Sequence, residues 1–331
     1  FFRESFPTGW RMDYSVPSPH QVAVAIVAYS LCSSSMLLVN KLVLSFIPLP
    51  SLVTFAQLYV TATFISILKI TGVSKVDDFE WDKVKPYLLY LLGFSLGVFG
   101  NMKALESSNV DTVIMFRSCT PIIVAVLEWA FMNRALPNRQ SLLALLGILL
   151  GAAGYVSVDD SFHVQGWHAY SWCLLYLGAL CFEMCFGKHI VSSVTMHVSG
   201  PVWYTNVLGM PFMLFFAFFV NNEHTKLPQA HFTVSSTGLL IVSCIIGVGI
   251  SYSGWHCRSV VTATTYTVVG VMNKILTLVA NILLWDQHSS PQGLAFLCLC
   301  IASGAMYRQA PLRAPPPPPL DSPRKELQAQ I

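Results

Sequence analysis

The sequence predicts an all-α membrane protein: ten transmembrane helices in two inverted five-helix repeats, with both termini in the cytosol. Three observations predict it: a composition too apolar for water, ten long apolar runs, and a one-sided placement of Lys and Arg. Of the 331 residues, 54% are hydrophobic and only 11% charged, where soluble domains carry about 25% charge, and the mean hydropathy is +0.59. A spanning helix takes about 20 apolar residues, so ten of them consume most of the chain and leave no room for a sizeable extramembrane domain. A net charge of +3 is too small for nucleic-acid binding by bulk charge. The surrounding partner is membrane lipid, and a homodimer stays open.

The apolar runs lie at about 21–45, 51–71, 86–105, 109–132, 140–157, 167–189, 200–221, 236–257, 260–284 and 291–308. Each is long and continuously apolar, whereas a strand of a membrane barrel alternates over about ten residues; all ten therefore read as helices. They divide the chain into a cytosolic segment over 1–20, a helical domain over 21–308 with repeats at about 21–157 and 167–308, and a tail over 309–331. Nothing before Gln21 follows the basic, apolar, small-residue order of a signal peptide. The tail contains Pro315 to Pro319 in a row and is expected to be a stiff, extended spacer.

Orientation follows from the cations. With a cytosolic N-terminus and ten crossings, the cytosolic side collects Arg3, Arg11, Lys69, Lys75, Lys83, Lys85, Arg134, Arg139, Lys188, Arg258, Arg308, Arg313, Arg324 and Lys325, and the other side only Lys103 and Lys226. That asymmetry obeys the positive-inside rule.

Three cations, Lys41, Arg117 and Lys274, fall at membrane depth. A charge there is costly unless it faces a wet cavity or a partner, so each marks a functional site. An ion pair with Glu128 or Glu183 is the competing account of any one of them. Three cations against two buried acids nevertheless leave positive charge over, which calls for an anionic ligand.

The halves also resemble one another. The block from Asp111-Thr112-Val113 through Arg117 to Pro137 lies over Ala263-Thr264-Thr265 through Gly270 to Pro291 with a shift of 153 or 154. Five helices separate equivalent points, so the repeats have inverted topology, the plan of secondary transporters with a midplane site between the halves.

The run at 260–284 is the most informative. Tyr266, Gly270, Asn273 and Lys274 recur at three- and four-residue spacing, which sets a phenol, a gap, a carboxamide and an ammonium along one stripe of a helix. Glycine lets a ligand approach the backbone, Asn bonds sugar or ribose hydroxyls, and Lys offers a point charge to phosphate.

Gly270-Val271-Met272-Asn273-Lys274 resembles the Gly-Ala-Leu-Asn-Lys motif of the GDP-mannose transporter family, within the nucleotide-sugar transporters of the drug/metabolite transporter superfamily. The first run is similar to that family's pattern at Tyr29, Ser33, Ser34 and Asn40-Lys41, the fourth carries Arg117, and Trp203-Tyr204-Thr205-Asn206 stands where the family has Phe-Tyr-Asn-Asn. The segment ending in Trp285-Asp286-Gln287-His288-Ser289 looks most like the plant and algal Golgi branch handling GDP-fucose, GDP-galactose and GDP-mannose. The resemblance covers about 21–308. It implies a Golgi antiporter, not an enzyme, with GDP-sugar and GMP as exchanged substrates and no cofactor. It also implies that Lys41, Arg117 and Lys274 meet the diphosphate, Tyr204 and Asn206 the guanine, and Tyr266, Gly270 and Asn273 the sugar and ribose. Tyr29 and Asn40 would lie on the facing helix, and Ser251 and Ser253 would add polar contacts near the base. Thr205 departs from the family's paired Asn.

Two alternatives stand beside this reading: another nucleotide-sugar or triose-phosphate type translocator of the same superfamily, and a membrane scaffold acting through its Pro-rich tail. Catalysis finds no arrangement of residues to carry it. His189, His197, His224, His231 and His288 are scattered, without metal-ligand spacing, and Glu128 and Glu183 are lone acids. The nine cysteines fall in or beside apolar runs, so neither a disulfide framework nor a zinc site is expected.

Overall fold

Helix α1 (Pro19–Phe46) begins where the chain supplies its own cap. Ser18 Oγ accepts from the amide of Gln21 at 3.3 Å, and Gln21 Oε1 accepts from the amide of Ser18 at 2.9 Å, a reciprocal pair that satisfies two of the amides left open at a helix start. This chain is described by a computed structural model over residues 18–131, 135–159, 167, 170–184, 199–260, 263–284 and 290–308. The segment before residue 18 and the Pro-rich tail after 308 lie outside the described residues, as do His189, His197 and His288 and the side chains of Glu128 and Tyr266.

Among the described residues every regular element is helical. After α1 come α2 (Pro50–Ile70), α3 (Trp81–Ser107), α4 (Val110–Ser118), α5 (Thr120–Phe131), α6 (Arg139–Val158), α7 (Ser171–Phe182), α8 (Ser199–Phe215), α9 (Val234–Val260), α10 (Ala263–Leu284) and α11 (Pro291–Met306). A π-helical turn, Phe216–Val220, extends α8. Among the described residues, six spans are long and apolar enough to cross a membrane: Pro19–Phe46, Pro50–Ile70, Val110–Phe131, Arg139–Val158, Ser199–Val220 and Val234–Cys257. The apolar helices of α7, α10 and α11 are shorter.

The apolar run at 109–132 is not one helix. α4 stops at Ser118 and α5 starts at Thr120, because Pro121 has no amide hydrogen for the carbonyl four residues earlier. After α2 the chain turns through Gly72, whose φ of +73° lies in the left-handed region open to glycine.

The helices pack chiefly in the pairs α6 with α11, α1 with α9, α3 with α7 and α2 with α8. Close approach is set by small residues, as is usual where lipid offers no hydrophobic drive. A Cβ on Gly151 of α6 would stand 2.7 Å from Cys300 Sγ and 2.9 Å from the Phe296 carbonyl of α11, and one on Gly100 of α3 would stand 3.2 Å from the Tyr176 backbone of α7. Against these pairs the main core gathers Leu37, Val43, Leu105, Val113, Tyr155 and Leu297.

One start is capped from afar. Leu49, which precedes α2, has no capping side chain; the amides of Ser51 and Leu52 donate instead to Glu223, at 2.8 and 2.9 Å. Glu223 is fully buried and takes a third bond from Asn221 Nδ2 at 2.7 Å. Its charge faces the positive end of α2. Glu223→Ala is expected to lower stability in detergent by about 2 kcal/mol, the worth of a lost charged cap, and Glu223→Gln by less, as measured by thermal or denaturant unfolding.

Candidate substrate-binding cavity

The stripe on α10 faces a cavity. Gly270, Asn273, Lys274 and Thr277 of α10 line it with Ser33 and Leu37 of α1 and Ile114 and Arg117 of α4. Lys274 sits at the middle of its 22-residue helix. The open volume is about 10 Å³, about what one water needs, so this is a contracted state that must widen for a larger ligand.

Asn273 is the most exposed in chemical terms and among the least exposed to solvent. Its residue is 5% accessible, yet neither its Nδ2 nor its Oδ1 has a hydrogen-bond partner. A buried carboxamide left unpaired costs free energy and is the kind of exception that marks a ligand's place. The backbone beneath it is held firmly, since its carbonyl accepts from Ser34 Oγ of α1 at 3.2 Å and from Thr277 Oγ1 at 2.8 Å. One turn earlier, a Cβ on Gly270 would meet nothing within 4 Å, so the glycine keeps space open where the cavity needs it.

The two cations approach each other across the cavity. Lys274 Nζ donates to the carbonyl of Arg117 at 3.3 Å, and the Arg117 side chain lines the same space. The cavity therefore joins two positive charges, an open carboxamide and a glycine gap.

Other expected site residues stand elsewhere. Lys41 is absent from the cavity wall: its ammonium donates to the carbonyls of Leu105 and Ser108, at 2.7 Å each. Those are the last carbonyls of α3, where helix geometry leaves acceptors open and the dipole favours a cation. Asn40, 3% accessible, accepts from Gln57 Nε2 of α2 at 2.9 Å, and Gln57 also reaches Ser243 of α9 at 3.2 Å. Tyr204 on α8 is fully buried; its hydroxyl donates to Asp78 O at 2.6 Å and accepts from the Glu80 amide at 3.2 Å, and its ring stacks on Phe79. The Thr205 hydroxyl donates to Pro201 O in its own helix. Asn206 spends Nδ2 on Val202 O at 2.7 Å and keeps Oδ1 buried without a partner. Tyr29 packs on α9 at Gly254, 3.4 Å from a Cβ placed there. Ser251 is half-buried on α9, and the Ser253 hydroxyl is buried without a partner. Glu183 accepts from Tyr90 at 3.5 Å.

Sequence reasoning passed over Thr277 and Gln57. Thr277 was recoverable, standing one turn beyond Asn273 on the same face. Gln57 carried no signal, since its two partners, Asn40 and Ser243, come from two other helices.

Residues 20–308 match the Triose-phosphate Transporter family. The chain belongs to the Triose-phosphate Transporter family. Among curated relatives of this family member, "GDP-fucose transporter 1" of Arabidopsis thaliana is 37% identical over 292 residues, covering 86% of this chain and 84% of that protein. "GDP-mannose transporter GONST3" of the same plant is 32% identical over 323 residues, covering 94% and 84%. "GDP-mannose transporter 2" of Vanderwaltozyma polyspora is 24% identical, covering 87% and 92%. A solved crystal structure covers 87% of this chain and 96% of its own, at a TM-score of 0.54 and 16% identity, and shares the fold alone. The resemblance read at Gly270 to Lys274 is thus borne out by whole-chain similarity to proteins named for GDP-sugars.

The two buried lysines should separate in their stability effects. Lys41→Ala removes the ammonium from two carbonyls at the end of α3 and is expected to cost about 1 to 3 kcal/mol. Lys274→Ala removes one longer bond and relieves the repulsion of Arg117, and is expected to cost less than half as much. Thermal unfolding of the two purified variants in the same detergent checks the order.

Proposed function

We propose that this chain is a Golgi antiporter that carries a GDP-sugar into the lumen in exchange for GMP, through ten crossings arranged as two inverted repeats with both ends in the cytosol. The observation that carries the reading is the cavity, in which two cations and an unpaired buried carboxamide from different helices meet around a glycine gap. A GDP-sugar and GMP are both dianions, and Arg117 and Lys274 offer two charges to match. In this reading Arg117 and Lys274 hold the phosphates and Asn273 the ribose or sugar hydroxyls, with Gly270 admitting them to the backbone. Asn206 Oδ1 reads the base, while Tyr204 and Lys41 brace the loops around the site.

The helix pairing supports the repeat. Counted as ten spans, α1 with α9 is the first span with the eighth, and α3 with α7 the third with the sixth; a twofold exchange of halves turns either pair into the other. Under the same exchange the pairs α2 with α8 and α6 with α11 map onto themselves. All four leading pairs are therefore compatible with one twofold exchange of halves, which inverted repeats require. The names of the relatives support the GDP-sugar, and the family's own description keeps a triose-phosphate type cargo as the rival.

Substrate competition decides between them. In proteoliposomes GMP is expected to compete with a labelled GDP-sugar, with UMP, AMP and triose phosphate far weaker; equal competition by all four would overturn the guanine reading. Asn273→Ala and Lys274→Ala are each expected to reduce exchange at least about tenfold, the effect of one lost hydrogen bond to a charged group or buried polar partner, with the protein still monodisperse.

Exchange is expected to be strict. An empty carrier must occlude Arg117 and Lys274 without an anion, and desolvated charge is costly at low dielectric. A bound dianion offsets that cost and lowers the barrier, since a ligand alters the rate only by favouring the occluded state over the open ones. Vesicles preloaded with GMP should take up labelled GDP-sugar at least about tenfold faster than empty ones; equal initial rates would mean a uniporter.

A further inference from the structure

The face that α10 gives to the cavity does not end at Thr277. One turn further along stands Asn281, and one turn before Ile114 on α4 stands Asp111, so each continues the face on which its helix carries cavity-lining residues. Asp111 is fully buried and Asn281 is 3% accessible. They meet across the two helices: Asn281 Nδ2 donates to Asp111 Oδ1 at 2.9 Å. A carboxylate at this depth is costly unless the protein supplies partners, and here one donor comes from a helix 170 positions away. The next residue, Thr112, is bonded within its own half of the chain. Its hydroxyl and that of Tyr155 on α6 lie 3.0 Å apart, and both residues are buried. The start of α4 thus grips α6 of the same half with one side chain and α10 of the other half with its neighbour.

We propose that Asp111 and Asn281 are the two leaves of a gate that closes the cavity at the start of α4, so that a ligand leaves by that end only after their bond has parted. The gate rests on the reading of this cavity as the transport site, made above. Because the bond joins the halves, moving one half against the other breaks it, whereas the contact of Thr112 with Tyr155 travels with its own half. It lies one helical turn, about 5.4 Å, beyond the residues that line the cavity, and with both side chains buried no open path runs between them. Once parted, the carboxylate and the carboxamide face a wetted path, where water takes over their hydrogen bonds, so the open state escapes the cost of unpaired buried groups. The bond favours the closed state by what it contributes there and not in the open one. In the orientation proposed above, α4 starts at the lumen, and this gate is the luminal one.

The test is Asn281→Leu, which keeps the branched shape of the side chain and removes its donor, in the full-length protein held in a single orientation in sealed vesicles. A membrane-impermeant acetylating ester is applied to one face at a time, using vesicles of each orientation, and acetylation of Lys274 is followed by mass spectrometry. Two lysines report which face the reagent has reached. Lys226 stands 3.9 Å from Glu106 at the end of α3, beside the start of α4, and the exposed Lys75 precedes the opposite end of that 27-residue helix. From the Lys226 face, labelling of Lys274 is expected to rise about tenfold, the worth of one hydrogen bond to a carboxylate; from the Lys75 face it is expected to stay at or below the wild-type rate. The exchanged pair Asp111→Asn/Asn281→Asp rebuilds the bond with donor and acceptor reversed and is expected to label within about twofold of wild type. Asn281→Ala takes the place of Asn281→Leu if that variant does not fold. An equal rise from both faces, which general loosening would give, overturns the gate, as does wild-type labelling in Asn281→Leu or failure of the exchanged pair to restore it. GMP is expected to suppress the added labelling; a one-sided rise that GMP leaves untouched would support the gate and overturn the nucleotide assignment of Lys274.

Discussion

A cation or an open amide inside an apolar helical bundle has to find oxygen within the protein, and this requirement organises the molecule. Bulk water is scarce at that depth, so a polar group is either joined to a helix end or a neighbouring side chain, or left without a protein partner. Lys41 takes the first course at the last carbonyls of α3, and Glu223 does the same with opposite charge at the first amides of α2. Asn273 takes the second. Its side chain has no protein partner, while its own carbonyl is bonded twice, so the open group rides on a fixed backbone. Rigid support under an unsatisfied group is what a binding site needs, because little ordering remains to be done when the ligand arrives.

The same requirement separates cations that composition alone treats as equivalent. By sequence Lys41, Arg117 and Lys274 are three charges at membrane depth. In the bundle, Lys41 bonds the end of α3, whereas Arg117 of α4 and Lys274 of α10 line the cavity.

The fold was largely legible because hydropathy is a local property: the positions of the helices follow from runs of apolar residues, and their starts at Pro19, Pro50 and Pro291 from the preference of proline for the first helical turn. The α10 stripe was legible for the same reason, since Gly270, Asn273 and Lys274 share a face through helical spacing alone. What could not be read were contacts between residues far apart in the chain. Gln57 joins Asn40 and Ser243, and Tyr204 turns its hydroxyl to the loop at Asp78 and Glu80; nothing in either local sequence names those partners. Pro121 was in plain view, but an apolar run of ordinary length concealed that it splits the helix.

The cap at α2 has a bearing on the order in which the protein is made. Ser51 and Leu52 leave the ribosome long before Glu223, which follows them by 172 and 171 positions. Throughout that interval the start of α2 has no carboxylate partner and must rely on water or lipid headgroups at the membrane surface. The second helix is thus completed only when the eighth has been inserted and its following loop has folded back. A nascent chain halted before residue 223 would hold its first helices in the membrane with one end unfinished, a state that quality-control factors attentive to unpaired backbone could distinguish from the completed protein.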